Sequence, residues 1–283
     1  MSPPRSWLYV PAHDERKIAK ARTAGADAVI LDLEDGTPAG HKEIARERVA
    51  RELAGRPGPA RYWVRINAVE PGTGWEDDVD AARRAAGLVI AKVSRPDQVR
   101  AVHERAGDLP LGPIVTENAA GVLAMAATLT AAPTVRTAFW GSEDLQADLG
   151  ARAVRDDRGG LLDVFRVVRS LFLVHCAAAG VAAVDTPCLD IRDLDAVAAD
   201  SRAAYLLGFA GKQVIHPAHV PGVNAGFLPT AAEVAAAREV VAAFGGRDGG
   251  AYRVAGAMVD QPHLRSARRV LARADGTGAR DDG

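Results

Sequence analysis

The chain has 283 residues, which is enough for one large barrel or for two domains of ordinary size. Its 48% hydrophobic and 25% charged residues are typical of soluble globular proteins, and a net charge of −1 argues against a nucleic-acid-binding or polybasic membrane surface. Cys176 and Cys188 form no CxxC pair, so neither a zinc site nor a disulfide framework is expected. We find neither a signal-peptide core nor an apolar run of membrane-spanning length, and we expect a cytoplasmic protein.

Short runs rich in Val, Ile and Ala alternate along the chain with longer amphipathic stretches. The predicted strands are SWLYVP, ADAVILDLED, RYWVRIN, GLVIAKVS, LGPIVTEN, VRTAFWG, VAAVDTP and GKQVIHP. Most of these runs are apolar throughout, as in strands that are covered on both faces. Helices are predicted over residues 14–24, 41–54, 81–86, 96–106, 121–131, 161–180, 194–207 and 230–244, the last with a capping box formed by Thr230 and Glu233.

This alternation predicts an α/β fold, a (β/α)8 TIM barrel over residues 1–245. The alternative is an open doubly wound sheet, which more often has a glycine-rich phosphate turn after its first strand, where this chain has VPAHDER. Residues 246–272 keep an apolar pattern and are expected to form a C-terminal extension that packs on its own barrel or on a neighbouring subunit. Residues 273–283 have almost no apolar content and are expected to be disordered.

Polar residues lie at the carboxyl ends of the predicted strands, where a barrel carries its chemistry. They are Asp32, Glu34, Asp35, Arg65, Asn67, Lys92, Glu117, Asp144, Asp185 and His216. Buried charges are costly unless they are paired or bound to a metal, so acids arranged around Arg65 and Lys92 would suit an anionic substrate bridged by a cation. Polar loops that simply begin at strand ends would explain part of this pattern, but Arg65 and Lys92 each have apolar neighbours.

Two acidic positions follow different predicted strands. Glu117 ends one apolar run, and Glu143 and Asp144 follow the run that closes with Trp140 and Gly141. Hard oxygen ligands on a rigid frame, with positions left open for a substrate, are what a Mg²⁺ site requires. Each acid could instead cap the helix that follows it. Together with the other strand ends, the pattern favours the metal site.

The order of several motifs resembles the citrate lyase beta-subunit-like family of the HpcH/HpaI aldolase superfamily, which includes malyl-CoA and citramalyl-CoA lyases. These motifs are ADAVILDLEDG, VRIN, the glutamate of VTEN, GSEDLQADLG, VDTPCLDI, LGFAGKQVIHP, VNAGFLPT and GAMVDQP. The resemblance implies a barrel of the phosphoenolpyruvate/pyruvate-binding kind that uses Mg²⁺. It also implies a homotrimer or homohexamer in which a C-terminal segment reaches a neighbouring subunit.

The resemblance implies roles for residues at the strand ends. Glu117 and Asp144 match the family's metal ligands, and Arg65 matches the arginine that holds the carboxylate and carbonyl oxygen of a 2-oxo acid. The backbone around Ser142 and Glu143 matches the turn that receives the substrate carboxylate.

The remaining implied roles belong to supporting groups and to a second subunit. Glu34 and Asp35 match acids that lie around the metal ligands without binding the metal, and Lys92 matches a lysine at the rim of the site. Asp260, in GAMVDQP, matches an aspartate that the adjacent chain supplies as the acid/base group. His216 matches a position near the CoA adenine, and a structural role is expected for its side chain.

The implied function is that of a Mg²⁺-dependent carbon–carbon lyase of the retro-Claisen or aldol type. It would cleave or form a 3-hydroxyacyl thioester from a 2-oxo acid and an acyl thioester carried by CoA or a carrier protein. The carrier is left open because Ala12 and Asp14 replace residues of the family's PGxRPxR run, which contacts the nucleotide end of CoA. A pyruvate-enolate aldolase without a thioester, a malyl-type thioester hydrolase and a non-catalytic subunit remain as alternatives.

Overall fold

The computed structural model describes residues 3–55, 58–245 and 250–278. These residues form two compact units, Pro4–Gly226 and a smaller unit that contains the chain from Phe227 onward. The first unit holds the eight predicted strands, so it is the part of the protein in which the strand-end residues meet.

The first unit is built on a sheet of parallel strands. The strands are β1 (Ser6–Pro11), β2 (Ala28–Asp32), β3 (Arg61–Ile66), β4 (Gly87–Ile90), β5 (Leu111–Pro113), β6 (Thr137–Phe139), β7 (Ala182–Asp185) and β8 (Gly211–Val214). Their order is β5-β4-β3-β2-β1-β8-β7-β6, and isolated parallel bridges from Leu111 to Val135 and from Ile114 to Phe139 bring the two edges together. The predicted barrel is confirmed, and the open doubly wound sheet is excluded.

Helices follow the strands around this barrel. They are α1 (Glu15–Ala21), α2 (Lys42–Ala54), α3 (Trp75–Ala81), α4 (Pro96–Ala106), α5 (Ala119–Leu129), α6 (Glu143–Leu149), α7 (Asp163–Ala179), α8 (Leu194–Leu207) and α9 (Val220–Gly226). The prediction of a helix over residues 81–86 is wrong. Ala86 donates its N–H to the carbonyl of Tyr62, so the chain must leave the helix early to enter β4. None of the helices in the described ranges combines the length and apolarity needed to cross a bilayer.

Aromatic and aliphatic side chains fill the interior of the barrel. They are Trp7, Ala28, Ile30, Trp63, Val89, Ile114, Phe139 and Val184. The ring of Trp7 makes edge-on contacts with Trp63 and Phe139, with centroid distances of 5.1 and 5.0 Å. Because side chains alternate between the two faces of a strand, the next inward positions on β1, β2 and β3 are Tyr9, Asp32 and Arg65. The packed core therefore supports a polar layer at the carboxyl ends of the strands.

A second set of charges lies between the barrel wall and the helices. Asp185 and Lys212 are register partners on β7 and β8, next to the inward-facing Val184. The Lys212 ammonium lies 3.1 Å from Asp185 Oδ2 and 2.6 Å from Oδ2 of Asp200 on α8, while Arg169 of α7 makes two hydrogen bonds to Asp185. The prediction that Asp185 belongs to the ring of active-site acids is therefore wrong. Its side chain faces outward and connects β7 to the helix layer.

Replacing Lys212 by methionine is expected to lower the free energy of unfolding by about 3–5 kcal/mol, because it removes the buried ammonium that Asp185 and Asp200 share and leaves Asp200, among the described residues, with only the more distant Arg155, at 3.5 Å. The positive charge of Lys212, opposing the effect of burial, lowers the pKa of Asp200 to about 2. Urea denaturation of the variant measures this loss. Lys17→Met is the control, since Lys17 makes an exposed 3.7 Å ion pair with Asp14 whose removal should cost little. Equal stabilities of the two variants would contradict a structural role for the buried cluster.

The smaller unit contains two helices and a hairpin. These are α10 (Ala231–Phe244), the antiparallel strands β9 (Tyr252–Val254) and β10 (Ala257–Val259), and α11 (Gln261–Gly278). Phe244, Val259 and Leu264 form its apolar core, and Thr230 and Glu233 form the predicted capping box of α10.

The boundaries of the smaller unit differ from those expected. The division falls after Gly226 and not after residue 245, because α10 packs against α11 and β9. Residues 273–278 continue α11, so the expected disorder is wrong for them; Arg273 Nε donates to the carbonyl of Phe227 at 2.9 Å, and its guanidinium lies over the Phe227 ring. Residues 279–283 of the expected tail lie outside the described residues.

Candidate active site

Arg65 occupies the centre of the polar layer at the carboxyl ends of the strands. Its Nε and Nη2 donate to Oδ1 and Oδ2 of Asp32 at 2.8 and 2.6 Å, which is a bidentate pair. Its Nη1 lies 3.1 Å from Glu34 Oε2, and its guanidinium carbon lies 5.1 Å from the centroid of the Tyr9 ring. Burial opposes the charge, but Asp32 and Glu34 raise the pKa of Arg65. The site therefore contains a cation whose orientation is fixed.

The turn after β2 is built around the carboxylate of Asp32. Its Oδ1 accepts the N–H of Glu34 at 2.9 Å, and its Oδ2 accepts the N–H of Gly36 at 3.0 Å. A Cβ at position 36 would lie 2.3 Å from Asp32 Oδ2, so only glycine permits this close approach. The turn places Glu34 in the buried layer and leaves Asp35 exposed at its edge.

Lys92 links that turn to Glu117. It has a φ of +54°, an unusual left-handed conformation for a residue other than glycine. Its backbone N–H donates to Glu117 Oε2, while its ammonium lies 2.6 Å from Glu34 Oε1 and 2.8 Å from Asp35 Oδ2. The pKa of Asp35 is lowered because Lys92 outweighs the effect of burial, whereas burial raises the pKa of Glu34.

Glu117 is held against the turn that follows β6. Thr116 Oγ1 accepts the N–H of Gly141 at 2.9 Å and donates to the carbonyl of Gly141 at 3.2 Å. A Cβ at position 141 would lie 2.9 Å from Glu117 Cγ, so glycine allows the two strand ends to approach. Asp144 is half-buried in the first turn of α6, directly after this glycine turn.

The charge state of Glu117 reflects this environment. Burial raises its pKa to about 8, and the negative charges of Asp144 and Glu34 act in the same direction. The positive charge of Arg65 and the N–H of Lys92 oppose the rise without cancelling it. Glu117 is therefore a buried acid that lacks enough positive charge to ionise easily, and it interacts electrostatically with Asp144.

Helix capping does not explain Glu117. The side chain of Asn118 caps α5 instead, since its Oδ1 accepts the N–H of Gly121 at 2.7 Å. Ser142 precedes α6, so Glu143 and Asp144 lie inside the first turn of that helix, where negative charge is favourable. The capping alternative is thus wrong for Glu117 and remains compatible with the two acids of α6.

Ser142 is buried where β6 meets β7. Its Oγ donates to Glu143 Oε1 at 2.9 Å and lies 3.2 Å from the hydroxyl oxygen of Thr186. Next to it, Gln213 Nε2 donates to the carbonyls of Trp140 and Asp185 at 2.9 and 3.2 Å, which joins the ends of β6, β7 and β8. The backbone at Ser142 is therefore fixed by its neighbours.

A divalent cation is compatible with the donors at these strand ends. The N–H of Lys92 engages one oxygen of Glu117, Oε2, and burial keeps this carboxyl from ionising easily. Within residues 3–55, 58–245 and 250–278, no cluster of three or more His, Cys, Asp or Glu is arranged to hold a metal. Glu117 and Asp144 are acids at adjoining strand ends, and a cation held by two carboxylates would keep positions for water and substrate oxygens, as Mg²⁺ requires.

The structure brings most of the predicted site residues together. Arg65, Glu34, Asp35, Lys92 and Glu117 form one contact network, and Ser142, Glu143 and Asp144 lie on the adjoining turn. Asp260 belongs to the smaller unit, where it is exposed and 2.6 Å from His263 Nδ1. His216 Nδ1 accepts the N–H of Ala218, which is a structural role.

Sequence reasoning missed three contributors to the site. The sequence predicts Asp32 only as a strand-end acid and gives no role to Tyr9 or Thr116. The inward positions of Tyr9 and Asp32 follow from the period of the strands, two residues beyond Trp7 and Ile30, so alternation was the available signal. No sequence pattern predicts the two hydrogen bonds between Thr116 and Gly141.

The chain is similar to proteins of known name along nearly its whole length. It is 33% identical to citramalyl-CoA lyase, mitochondrial, of Mus musculus (95% of this chain, 85% of the relative) and 35% identical to (3S)-malyl-CoA thioesterase of Cereibacter sphaeroides strain KD131 (98% and 96%). The crystal structure of protein CitE from Mycobacterium tuberculosis in complex with magnesium, acetoacetate and coenzyme A superposes with a TM-score of 0.83 and 33% identity, over 97% of this chain and 98% of that one. Residues 5–217 match the model of the HpcH/HpaI aldolase/citrate lyase family. The chain belongs to that family.

Proposed function

We propose that the protein is a Mg²⁺-dependent carbon–carbon lyase that cleaves or forms a 3-hydroxyacyl thioester from a 2-oxo acid and an acyl thioester. The observation that carries the proposal is the position of Arg65. Its guanidinium is locked onto Asp32 and acts electrostatically on Glu117, a buried acid with no cation of its own. A fixed cation beside two acids suits a reaction that develops negative charge on an oxygen atom.

The residues of the site have separate roles in this reaction. Glu117 and Asp144 would hold Mg²⁺, which would supply positive charge where an oxygen becomes negative during carbon–carbon cleavage. Arg65 uses the N–H groups not engaged by Asp32 and Glu34 to bind the carboxylate and carbonyl oxygens of the 2-oxo acid. The backbone at Ser142 and Glu143 receives the substrate carboxylate.

Lys92 connects the acids after β2 to Glu117. Lys92 neutralises Glu34 and Asp35 at the rim, and its N–H fixes one oxygen of Glu117. This leaves Glu117 Oε1 for the cation. The strained backbone of Lys92 is consistent with a functional position.

The proposed substrates are inferred from the ligands of similar proteins. A thioester of CoA is proposed because the similar CitE structure contains magnesium, acetoacetate and coenzyme A. Asp260 serves as the acid/base group of a neighbouring copy in a homotrimer or homohexamer, and its exposure supports that role. A cytoplasmic location fits the two free cysteines, Cys176 and Cys188.

Product analysis with malyl-CoA, citramalyl-CoA and citryl-CoA in the presence of Mg²⁺ tests the proposal. A lyase releases glyoxylate, pyruvate or oxaloacetate together with an equal amount of acetyl-CoA, and no free thiol. A thioester hydrolase, the activity named for the Cereibacter relative, would release free CoA and the hydroxy acid instead. Absence of turnover with every thioester, or turnover that persists in EDTA, would contradict the proposed function.

A further inference from the structure

The hydroxyl of Tyr9 is buried and has no hydrogen-bond partner within the described chain. The other buried side-chain atoms without a hydrogen bond, among the residues that the structure covers, are Tyr62 Oη, Trp63 Nε1, Thr128 Oγ1, Trp140 Nε1, Asn224 Oδ1 and Glu34 Oε2, the last of which has an ion pair with Arg65 instead. Removing a hydroxyl from water without giving it a partner is costly, so such a group calls for a physical reason.

Tyr9 is distinguished from most of these groups by where it lies. Its ring packs on the barrel core two residues beyond Trp7, and the Arg65 guanidinium covers it at 5.1 Å. The charges of Arg65, Glu117 and Asp32 all act on its hydroxyl. Tyr9 is therefore part of the floor of the proposed site.

The chemistry of this hydroxyl suits an anionic ligand. Burial raises the pKa of Tyr9, so the group keeps its proton and remains a donor. A ring alone would fill the space beside Arg65 and make the same cation–π contact. The added hydroxyl therefore has a use only where an acceptor arrives, and the ligand that Arg65 attracts is a carboxylate or a carbonyl oxygen.

We propose that Tyr9 is a substrate-binding residue whose Oη donates a hydrogen bond to an oxygen of the 2-oxo acid held by Arg65. This inference rests on the proposed function and assigns one more direct contact to the same site. The hydroxyl has no hydrogen-bond acceptor in the free protein, and the bound 2-oxo acid provides one.

Calorimetric titration of pyruvate into Mg²⁺-loaded protein tests the inference with Tyr9→Phe, which removes the hydroxyl and keeps the ring over Arg65. The dissociation constant for pyruvate is expected to rise about tenfold to a hundredfold, as for one lost hydrogen bond to a charged acceptor. The dissociation constant for Mg²⁺ in the absence of pyruvate should not change. Tyr62→Phe is the matched control, since it removes another buried and unpartnered tyrosine hydroxyl, on the outward face of β3.

The outcomes separate this inference from the proposed function. Weaker pyruvate binding in Tyr9→Phe alone supports the contact. Equal pyruvate binding by the wild type and Tyr9→Phe overturns the contact and leaves the proposed function standing. Equal weakening in both tyrosine variants also overturns it, because the effect would then be structural. A wild-type protein that binds Mg²⁺ but neither pyruvate nor oxaloacetate overturns both.

Discussion

Replacing Glu117 by glutamine is expected to abolish Mg²⁺ binding and, at the same time, to stabilise the metal-free protein at alkaline pH. Glutamine has nearly the same shape but cannot ionise. In the wild type the pKa of Glu117 is about 8 in the folded state, against 4.5 for an ordinary glutamate. The stability that its protonated form contributes is complete below pH 4.5 and is lost as the pH rises through 8.

Thermal unfolding in EDTA at pH 6 and pH 9 measures this effect. The wild type should lose stability between the two values, whereas Glu117→Gln should lose less. Adding Mg²⁺ at pH 9 should restore the wild type and leave the variant unchanged, because the cation takes the place of the proton. Glu143→Gln is the control, since Glu143 is exposed on the neighbouring turn. A Glu117→Gln protein that Mg²⁺ still stabilises would refute the assignment of this ligand.

Replacing Arg65 by lysine is expected to lower kcat/KM by about 10²–10³, the usual cost of one lost electrostatic contact to a developing oxyanion. Lysine keeps the positive charge. Its single ammonium group cannot form the bidentate pair with Asp32 and also donate further N–H groups to a ligand in the same geometry. Steady-state kinetics with the thioester identified as substrate provides the measurement. Mg²⁺ affinity should be retained, because Arg65 is not a ligand of the cation.

Arg46→Lys is the matched control for Arg65→Lys. Arg46 is also largely buried, and its Nε donates to the buried carboxylate of Asp78 at 2.7 Å, between α2 and α3. Its replacement should cost stability and leave kcat/KM unchanged. Equal losses of activity in the two variants would mean that Arg65 acts through the fold and has no specific role in the reaction.

The fold was predictable because a barrel strand is covered on both faces. Such strands appear as uninterrupted apolar runs, and all of the predicted strands were found. Arg65 and Lys92 stood out for the same reason, since charges within apolar runs need partners. Sequence could thus indicate which charges meet at the carboxyl ends of the strands.

Other features depend on geometry that no local pattern encodes. Asp185 looks like an active-site acid in sequence, yet it faces the helix layer because it lies one residue beyond the inward-facing Val184. The left-handed backbone of Lys92 accompanies its contacts with Glu117 and the acids after β2, which lie far from it in sequence. Asn118 caps α5 in place of Glu117, and no sequence pattern distinguishes which of these two neighbouring residues does so.

The most direct test of the account is anomalous diffraction from crystals that contain Mn²⁺, in place of Mg²⁺, together with pyruvate. We expect one ion bound by carboxylate oxygens of both Glu117 and Asp144 at about 2.1–2.2 Å, with pyruvate lying between that ion and the Arg65 guanidinium. An ion bound elsewhere, or carboxylates of Glu117 and Asp144 that share no ion, would contradict it.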